Sequence, residues 1–332
     1  MSAVPSLPAG ASVPRLRVDY EQGPLDALLA REDTLAVLAF GDAAPRSDDP
    51  RVLRIPLQPF GAAPFEVWRA GGEVRCGRDG ELRWAEDDAL HFGVLEVREG
   101  DAGLEAASAR AYTRLTTFVR AHGYPHLLRT WNYLDAITAG TGDDERYRRF
   151  CLGRAAGLGA FDTSALPAAT AIGRIDGERT LQVYWLAARV PGTPLENPRQ
   201  VSAYRYPRQY GPQPPSFARA MLPPSPRMPL LLSGTASVVG HESRHHDSIA
   251  AQVEETFANF DALIGAARTR RPELPAQFGP QSRLKVYVRD AATLAEVAAL
   301  LDARLDPVVP RILLHAAVCR RELQVEIDGI HA

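Results

Sequence analysis

The side chains with the greatest chemical reach in this sequence lie in three places. The stretch VPGTPLENPRQVSAYRYPRQYGPQPPSFARAMLPPSPRMP carries Tyr204, Tyr206, Tyr210 and Phe217 interleaved with Arg205, Arg208 and Arg219. It shows no helical period. A bare tether needs no aromatic rings, so this composition predicts a long ordered loop lining a site, with a surface-packed tether as the alternative. Near the C-terminus, LQVEIDG alternates so that Leu323, Val325 and Ile327 face one way and Gln324, Glu326 and Asp328 the other. On pattern alone Glu326 reads as an exposed strand glutamate. His241-Glu242-Ser243-Arg244-His245 formally matches HExxH, which holds zinc only when a helix places both histidines on one face. Here the motif follows a strand and Gly240, and Asp247 or Ser248 reads as the cap of a helix that starts only afterwards. No zinc is expected there. The glycines of GRAAGLG (153–159) do not open a helix after a strand, so they give no nucleotide-binding signal either.

The elements that must position these residues fall into a pattern. Up to about residue 70, TLAVLAFG (34–41) and RVLRIPL (51–57) read as short strands between Pro and Gly punctuation. From Gly103 the apolar spacing of Leu104, Ala107, Ala111, Leu115, Phe118 and Val119 predicts a long amphipathic helix ending near Gly123. A strand at 126–134 follows, then a helix over 143–152 capped by Asp143 or Asp144, then two strands around a DG turn at 176–177. The C-terminal third repeats that order: strand 228–239, helix 248–267, strand 283–290, helix 293–305, and two strands within 310–330. Leu181-Gln182-Val183 stands against Leu323-Gln324-Val325, each in what reads as a hairpin starting at a proline, Pro167 and Pro310. We read this as an internal duplication of one β–α–β–α–β–β unit. The expected boundaries are a β-rich extension (1–70), a first unit (71–190), a site-lining connection (191–227) and a second unit (228–332).

Composition narrows the function. With 332 residues, 45% hydrophobic and 23% charged, the chain is a folded globular protein of one large or two medium domains. The net charge of −2 provides no basic field for nucleic acid. Three scattered cysteines, Cys76, Cys151 and Cys319, make neither a disulfide framework nor a metal pair and imply a reducing compartment. No apolar run approaches the ~18 residues of a membrane span and the N-terminus shows no leader pattern, so a cytoplasmic protein is expected. Lys285 is the only lysine. Composition does not separate GC-rich coding from carboxylate recognition as the cause of this arginine preference.

The C-terminal unit resembles the Rid family of reactive-intermediate deaminases in SGTAS (233–237), QVEETFANFDALI, KVYVRD, and Pro310-Arg311 followed fifteen residues later by Glu326. Over most of the chain the more specific resemblance is to the chorismatases. It is carried by RTWNYL (129–134), RYRRFCLGR (146–154), PAATAIG (167–173), AYRYPRQYGPQPPSFARA (203–220), SGTASVVGHESRH (233–245) and CRRELQVEIDG (319–329). The resemblance implies an α+β fold of two Rid-like, chorismate-mutase-like units, with helices packed on mixed sheets. It also implies cleavage of chorismate with release of pyruvate, without metal or organic cofactor. Cys319 matches the hydroxybenzoate-forming members, which make 3-hydroxybenzoate and sometimes 4-hydroxybenzoate. Ala236 points to the members that hydrolyse chorismate to a cyclohexadiene diol. An imine deaminase and a non-catalytic small-molecule binder are the competing functions, and the assembly is expected to be a monomer or a homotrimer.

Chorismate has two carboxylates, a ring hydroxyl and an enol ether. Arg154 and Arg219 are the expected carboxylate anchors, because a guanidinium stays charged where water is excluded. Tyr147 and Tyr206 are the expected donors beside them, with Tyr204 an alternative to Tyr206. Glu326 is the expected general acid and requires a raised pKa, which burial against the substrate ring would supply. Cys319 is either a ring-directed nucleophile, a small polar wall, or a buried hydrophobe. Arg311 is expected to bind substrate, orient Glu326 or brace the strand.

Overall fold

The computed structural model describes residues 13–160 and 162–332; the first twelve residues, including most of the stretch searched for a leader, lie outside it. The chain opens with β1 (Arg17–Glu21), the short α1 (Leu25–Leu29), β2 (Thr34–Phe40), β3 (Val52–Ile55), β4 (Gln58–Pro59) and β5 (Phe65–Arg69). Four of these form a sheet in the order β1-β5-β2-β3, and the two apolar runs anticipated as strands are β2 and β3.

The first unit contains β6 (Arg75–Asp79), β7 (Leu82–Glu86), β8 (Leu90–Arg98), α2 (Gly103–Ala121), β9 (His126–Asp135), α3 (Arg146–Leu158), β10 (Ala168–Arg174) and β11 (Thr180–Ala188). The second contains β12 (Thr193–Leu195), β13 (Ala220–Leu222), β14 (Leu230–Ala236), β15 (Val238–Val239), β16 (Glu242–Ser243), α4 (Ile249–Arg268), β17 (Arg283–Val288), α5 (Leu294–Arg304), β18 (Arg311–His315) and β19 (Val325–His331). The first sheet runs β10-β9-β11-β8-β7-β6; the second, taken from β18, runs β18-β17-β19-β14-β13-β12, with β4 added outside β18. The two orders correspond position for position, and in each unit the one parallel pair is the equivalent one, β9 with β10 and β17 with β18. The class is α+β, with one unit used twice.

Three local expectations change. The strands flanking the DG turn do not pair, because β9 lies between β10 and β11; likewise β17 lies between β18 and β19. Each expected hairpin is a split arrangement, since the parallel pairing lets the central strand bond on both edges. The helix expected at 143–152 runs from Arg146 to Leu158, with Asp143 and Asp144 in a 3₁₀ turn ahead of it and no side-chain cap on Glu145. Gly153 and Gly157 explain its length and its seat. A Cβ at Gly153 would meet the Glu105 carbonyl oxygen at 2.0 Å, and one at Gly157 the Ala109 carbonyl oxygen at 2.5 Å, so these glycines let α3 lie directly on α2. HESRH falls on the small β15–β16 hairpin and its exit, outside any helix; Ser248 caps α4 by accepting from the Ala251 amide.

The two sheets face each other. Trp131, Ile172, Tyr184 and Leu186 of the first meet Leu231, Tyr287, Leu314 and Ile330 of the second, with Leu35, Leu38 and Trp68 of the N-terminal sheet in the same cluster. Helices α2 and α3 cover the outer face of the first sheet, and α4 and α5 that of the second. The central strands of each sheet are therefore buried on both faces, as the burial of β11 and β19 shows, while the edge strand β6 is largely exposed. Among the described residues no helix is long and apolar enough to cross a membrane.

Candidate active site

A cavity of about 400 Å³ lies where the two units meet. The first unit presents α3 and β10, the second presents β14, β19 and the turn before β19, and the connection between the units closes one side. Six of the seven residues expected at a site from the sequence line it: Tyr147, Arg154, Tyr206, Arg219, Cys319 and Glu326. Arg311 does not. Its guanidinium is bonded to Asp302 and to the Val309 carbonyl, and β17 separates its strand from that of Glu326. The fifteen-residue spacing crosses the sheet without bringing the two side chains together.

Arg154 enters from α3 and is buried, with its guanidinium 4.9 Å from the Tyr112 ring centroid. One nitrogen donates to the Ser216 carbonyl, while Nε and Nη2 have no partner among the described residues. A buried donor left unpaired costs roughly 1–3 kcal/mol, so an anion in the cavity would meet a standing need. Arg219, also buried, donates through Nη2 to the Tyr206 hydroxyl at 2.6 Å and the Val201 carbonyl at 3.0 Å; its Nε is unpaired. Neither arginine forms an ion pair with a carboxylate side chain among the described residues. Of the two tyrosines the spacing left open, Tyr206 is on the cavity wall.

Glu326 lies on the face of β19 turned toward the first sheet and is only 4% exposed. Burial, with the nearby Asp328 carboxylate, pushes its pKa up to about 8 against the lowering pull of Arg129 and Arg219. The side chain is therefore mostly protonated at neutral pH. Its room comes from Gly234 on β14, where a Cβ would stand 1.9 Å from Glu326 Oε1. The strand register slips between Leu232 and Thr235, and Gly234 sits in that irregularity. Cys319 Sγ is 3.9 Å from Glu326 Oε2, and burial pushes its thiol far above the ordinary range, so it is uncharged. Burial likewise raises the Tyr147 hydroxyl, which stays a neutral donor.

Behind Glu326 lies a buried polar layer. Asp328 Oδ2 accepts from Thr170 Oγ1 (2.7 Å), Trp131 Nε1 (3.0 Å) and Tyr287 OH (3.0 Å), and pairs with Arg129 at 3.2 Å. Lys285, the single lysine, is buried between Glu66 (3.2 Å) and Asp328 (3.8 Å). Its role is internal, and it tethers the N-terminal sheet to the layer beneath Glu326.

The sequence reading missed Arg320. Its guanidinium lies 4.2 Å from the Tyr210 ring and 5.2 Å from that of Tyr206, and it donates to the His241 carbonyl and to Ser243 Oγ. HESRH thus holds an arginine of the cavity wall by hydrogen bonds, and Tyr210 OH lies 3.3 Å from His241 Nδ1. Nothing in the spacing of CRREL separates Arg320 from Arg321, which bonds the Thr138 and Gly140 carbonyls.

Residues 66–187 match the family described as Chorismatase FkbO/Hyg5-like, N-terminal. A chorismatase of Streptomyces hygroscopicus is 40% identical over 274 residues, which is 80% of this chain and 79% of that one. A 3-hydroxybenzoate synthase of the same organism is 34% identical, covering 81% and 82%. A chorismatase crystal structure at 1.08 Å resolution superposes with a TM-score of 0.83 at 35% identity, covering 97% of this chain and 99% of that one. With identity of this degree over four fifths of both chains, and one architecture from end to end, the chain belongs to the chorismatase family of enzymes.

Proposed function

We propose that this enzyme cleaves chorismate to pyruvate and 3-hydroxybenzoate. The observation that carries the reading is a carboxyl held protonated to about pH 8, Glu326, in one cavity with two buried arginines whose donors are incompletely used. Arg154 receives one carboxylate; Arg219, steadied by Tyr206, receives the other. Glu326 gives its proton to the enolpyruvyl methylene, turning it into a methyl group and the side chain into an oxocarbenium ion that weakens the ether bond. Pyruvate leaves as the neighbouring ring hydroxyl oxygen bonds to the carbon that carried the ether and gives its proton back to Glu326. The three-membered ring then reopens at its other carbon as Glu326 returns that proton to the oxygen, which moves the hydroxyl to the meta position. The ring proton lost on aromatisation restores Glu326. Hydroxybenzoate and pyruvate together contain the atoms of chorismate, so this route consumes no net water. Cys319, as an uncharged thiol, serves as a small wall beside the ring rather than as a thiolate nucleophile.

A second reading, hydrolysis to the diol, takes up one water and is favoured by Ala236, whose small side chain on the cavity wall leaves space for it. The test is incubation of the purified protein with chorismate, with coupled detection of pyruvate and chromatography of the ring product. Pyruvate with 3-hydroxybenzoate supports the first reading and pyruvate with diol the second. Absence of pyruvate from a folded protein rejects both.

A further inference from the structure

Away from the cavity, the first unit brings together three metal-ligating side chains from distant parts of the chain. Glu86 ends β7 and His91 stands directly opposite it on β8, while His122 terminates α2. One ligating atom from each lies within 4.8 Å of the other two, and His122 Nδ1 is 3.3 Å from Glu86 Oε2. His91 is fully buried, yet neither of its ring nitrogens has a partner among the described residues. Buried polar atoms are nearly always bonded, so an unpartnered buried ring facing a carboxylate and a second imidazole points to a ligand. Its surroundings are Phe118, Tyr124 and Trp185, with ring centroids at 5.4–6.2 Å, and they provide no hydrogen bond to it. The C-terminal end of α2 adds a negative potential that favours a cation. Arg75 pairs with Glu86 at 3.5 Å with its side chain 65% exposed, and Arg189 lies beyond Tyr124, 3.1 Å from its hydroxyl.

We propose that Glu86, His91 and His122 bind one divalent transition-metal ion of the Zn²⁺ class, with water in the remaining position, pinning the β7–β8 hairpin to the end of α2. Two imidazoles and one carboxylate are a donor set suited to tetrahedral zinc. No spacing motif reveals it, because the ligands are five and thirty-one residues apart and meet only in the folded unit. The site shares no residue with the cavity that holds Glu326, so its metal stabilises the fold and takes no part in chorismate cleavage.

The test is titration of chelator-treated full-length protein with Co²⁺ and Zn²⁺. One equivalent of Co²⁺ is expected to give the visible bands of a tetrahedral site, Zn²⁺ to abolish them, and the melting temperature to rise with Zn²⁺ concentration. His122→Ala and the near-isosteric Glu86→Gln are expected to lose metal affinity by more than the roughly hundredfold cost of removing an outer-shell partner, while retaining chorismate turnover. Wild-type protein that binds neither ion overturns the proposal, with water the occupant of the space beside His91. So does binding that persists unchanged in both variants, which places the ion elsewhere.

Discussion

The two units share a strand order and a device, and they use the device for different ends. In each, the strand paired with the last strand, β8 beside β11 and β14 beside β19, carries a glycine into whose space that last strand sends a large side chain. On β8, Gly93 lies opposite Trp185 of β11, and a Cβ there would strike the indole at 2.1 Å. On β14, Gly234 admits the Glu326 carboxyl. Trp185 faces the helices and completes the core beneath α2, whereas Glu326 faces the opposite sheet at a place where the cavity begins. By the Leu-Gln-Val register, the first-unit counterpart of Glu326 is Tyr184, stacked on Trp131 with centroids 4.6 Å apart. The same topological position is thus a packing residue in one unit and a candidate acid in the other. The two recesses are not equivalent positions: Trp185 aligns with Ile327, and Gly234 stands against Glu326 where β14 slips in register between Leu232 and Thr235.

The largest effect that would break this comparison comes from Glu326→Gln, expected to reduce chorismate turnover by about 10²–10⁴-fold in a pyruvate assay. The wild-type rate should fall as pH rises through about 8, where the acid ionises. A carboxyl whose folded pKa exceeds its ordinary value of 4.5 leaves the folded state holding more protons than the unfolded chain between pH 4.5 and about 8. Stability therefore declines with rising pH over that window, and denaturant melts should show the Gln variant gaining on wild type across it. A flat difference between the two would mean that Glu326 is not buried as described.

Next is a matched pair. Gly234→Ala should displace the Glu326 carboxyl and cost on the order of 10²-fold in kcat with the fold intact, because small misplacements of reacting groups are that costly. Gly93→Ala should leave the kinetic constants of the folded fraction unchanged but lower stability by about 1–3 kcal/mol through overpacking against Trp185, read by denaturant unfolding. Reversed outcomes would mean that the two recesses have been assigned the wrong roles. Arg154→Lys is expected to raise KM roughly tenfold with a smaller change in kcat, since a point charge replaces a planar fork. The smallest rate effect belongs to Cys319→Ala, under about tenfold for a residue that only shapes the wall, with a changed ratio of ring products by chromatography.

Much of the site was readable because side-chain type and motif order survive folding. Arg154, Arg219, Tyr147, Tyr206, Cys319 and Glu326 all occur in segments whose residues are distinctive, and all reach the cavity. The expectation for Arg311 rests on the Rid-like spacing to Glu326, and spacing along the chain does not report which strand is inserted between two others. Arg320 was invisible for a related cause: its neighbours Tyr206, Tyr210 and His241 come from segments some 80 to 115 residues away. The true start of α3 escaped because Gly142, with a φ of 55°, and the 3₁₀ turn around Asp143 push the helix three residues on, whereas local capping signals favoured the aspartates.

The sequence by itself determined the periodicity and order of the elements, their repetition, and the residue types from which a carboxylate-binding, acid-donating site could be made, because these depend on near neighbours and on chemistry carried by each residue. The tertiary structure alone decided that the polar face of LQVEIDG is interior. One sheet packs over the other, so the side chains that alternation assigned to solvent lie between two sheets, and that desolvation holds Glu326 protonated.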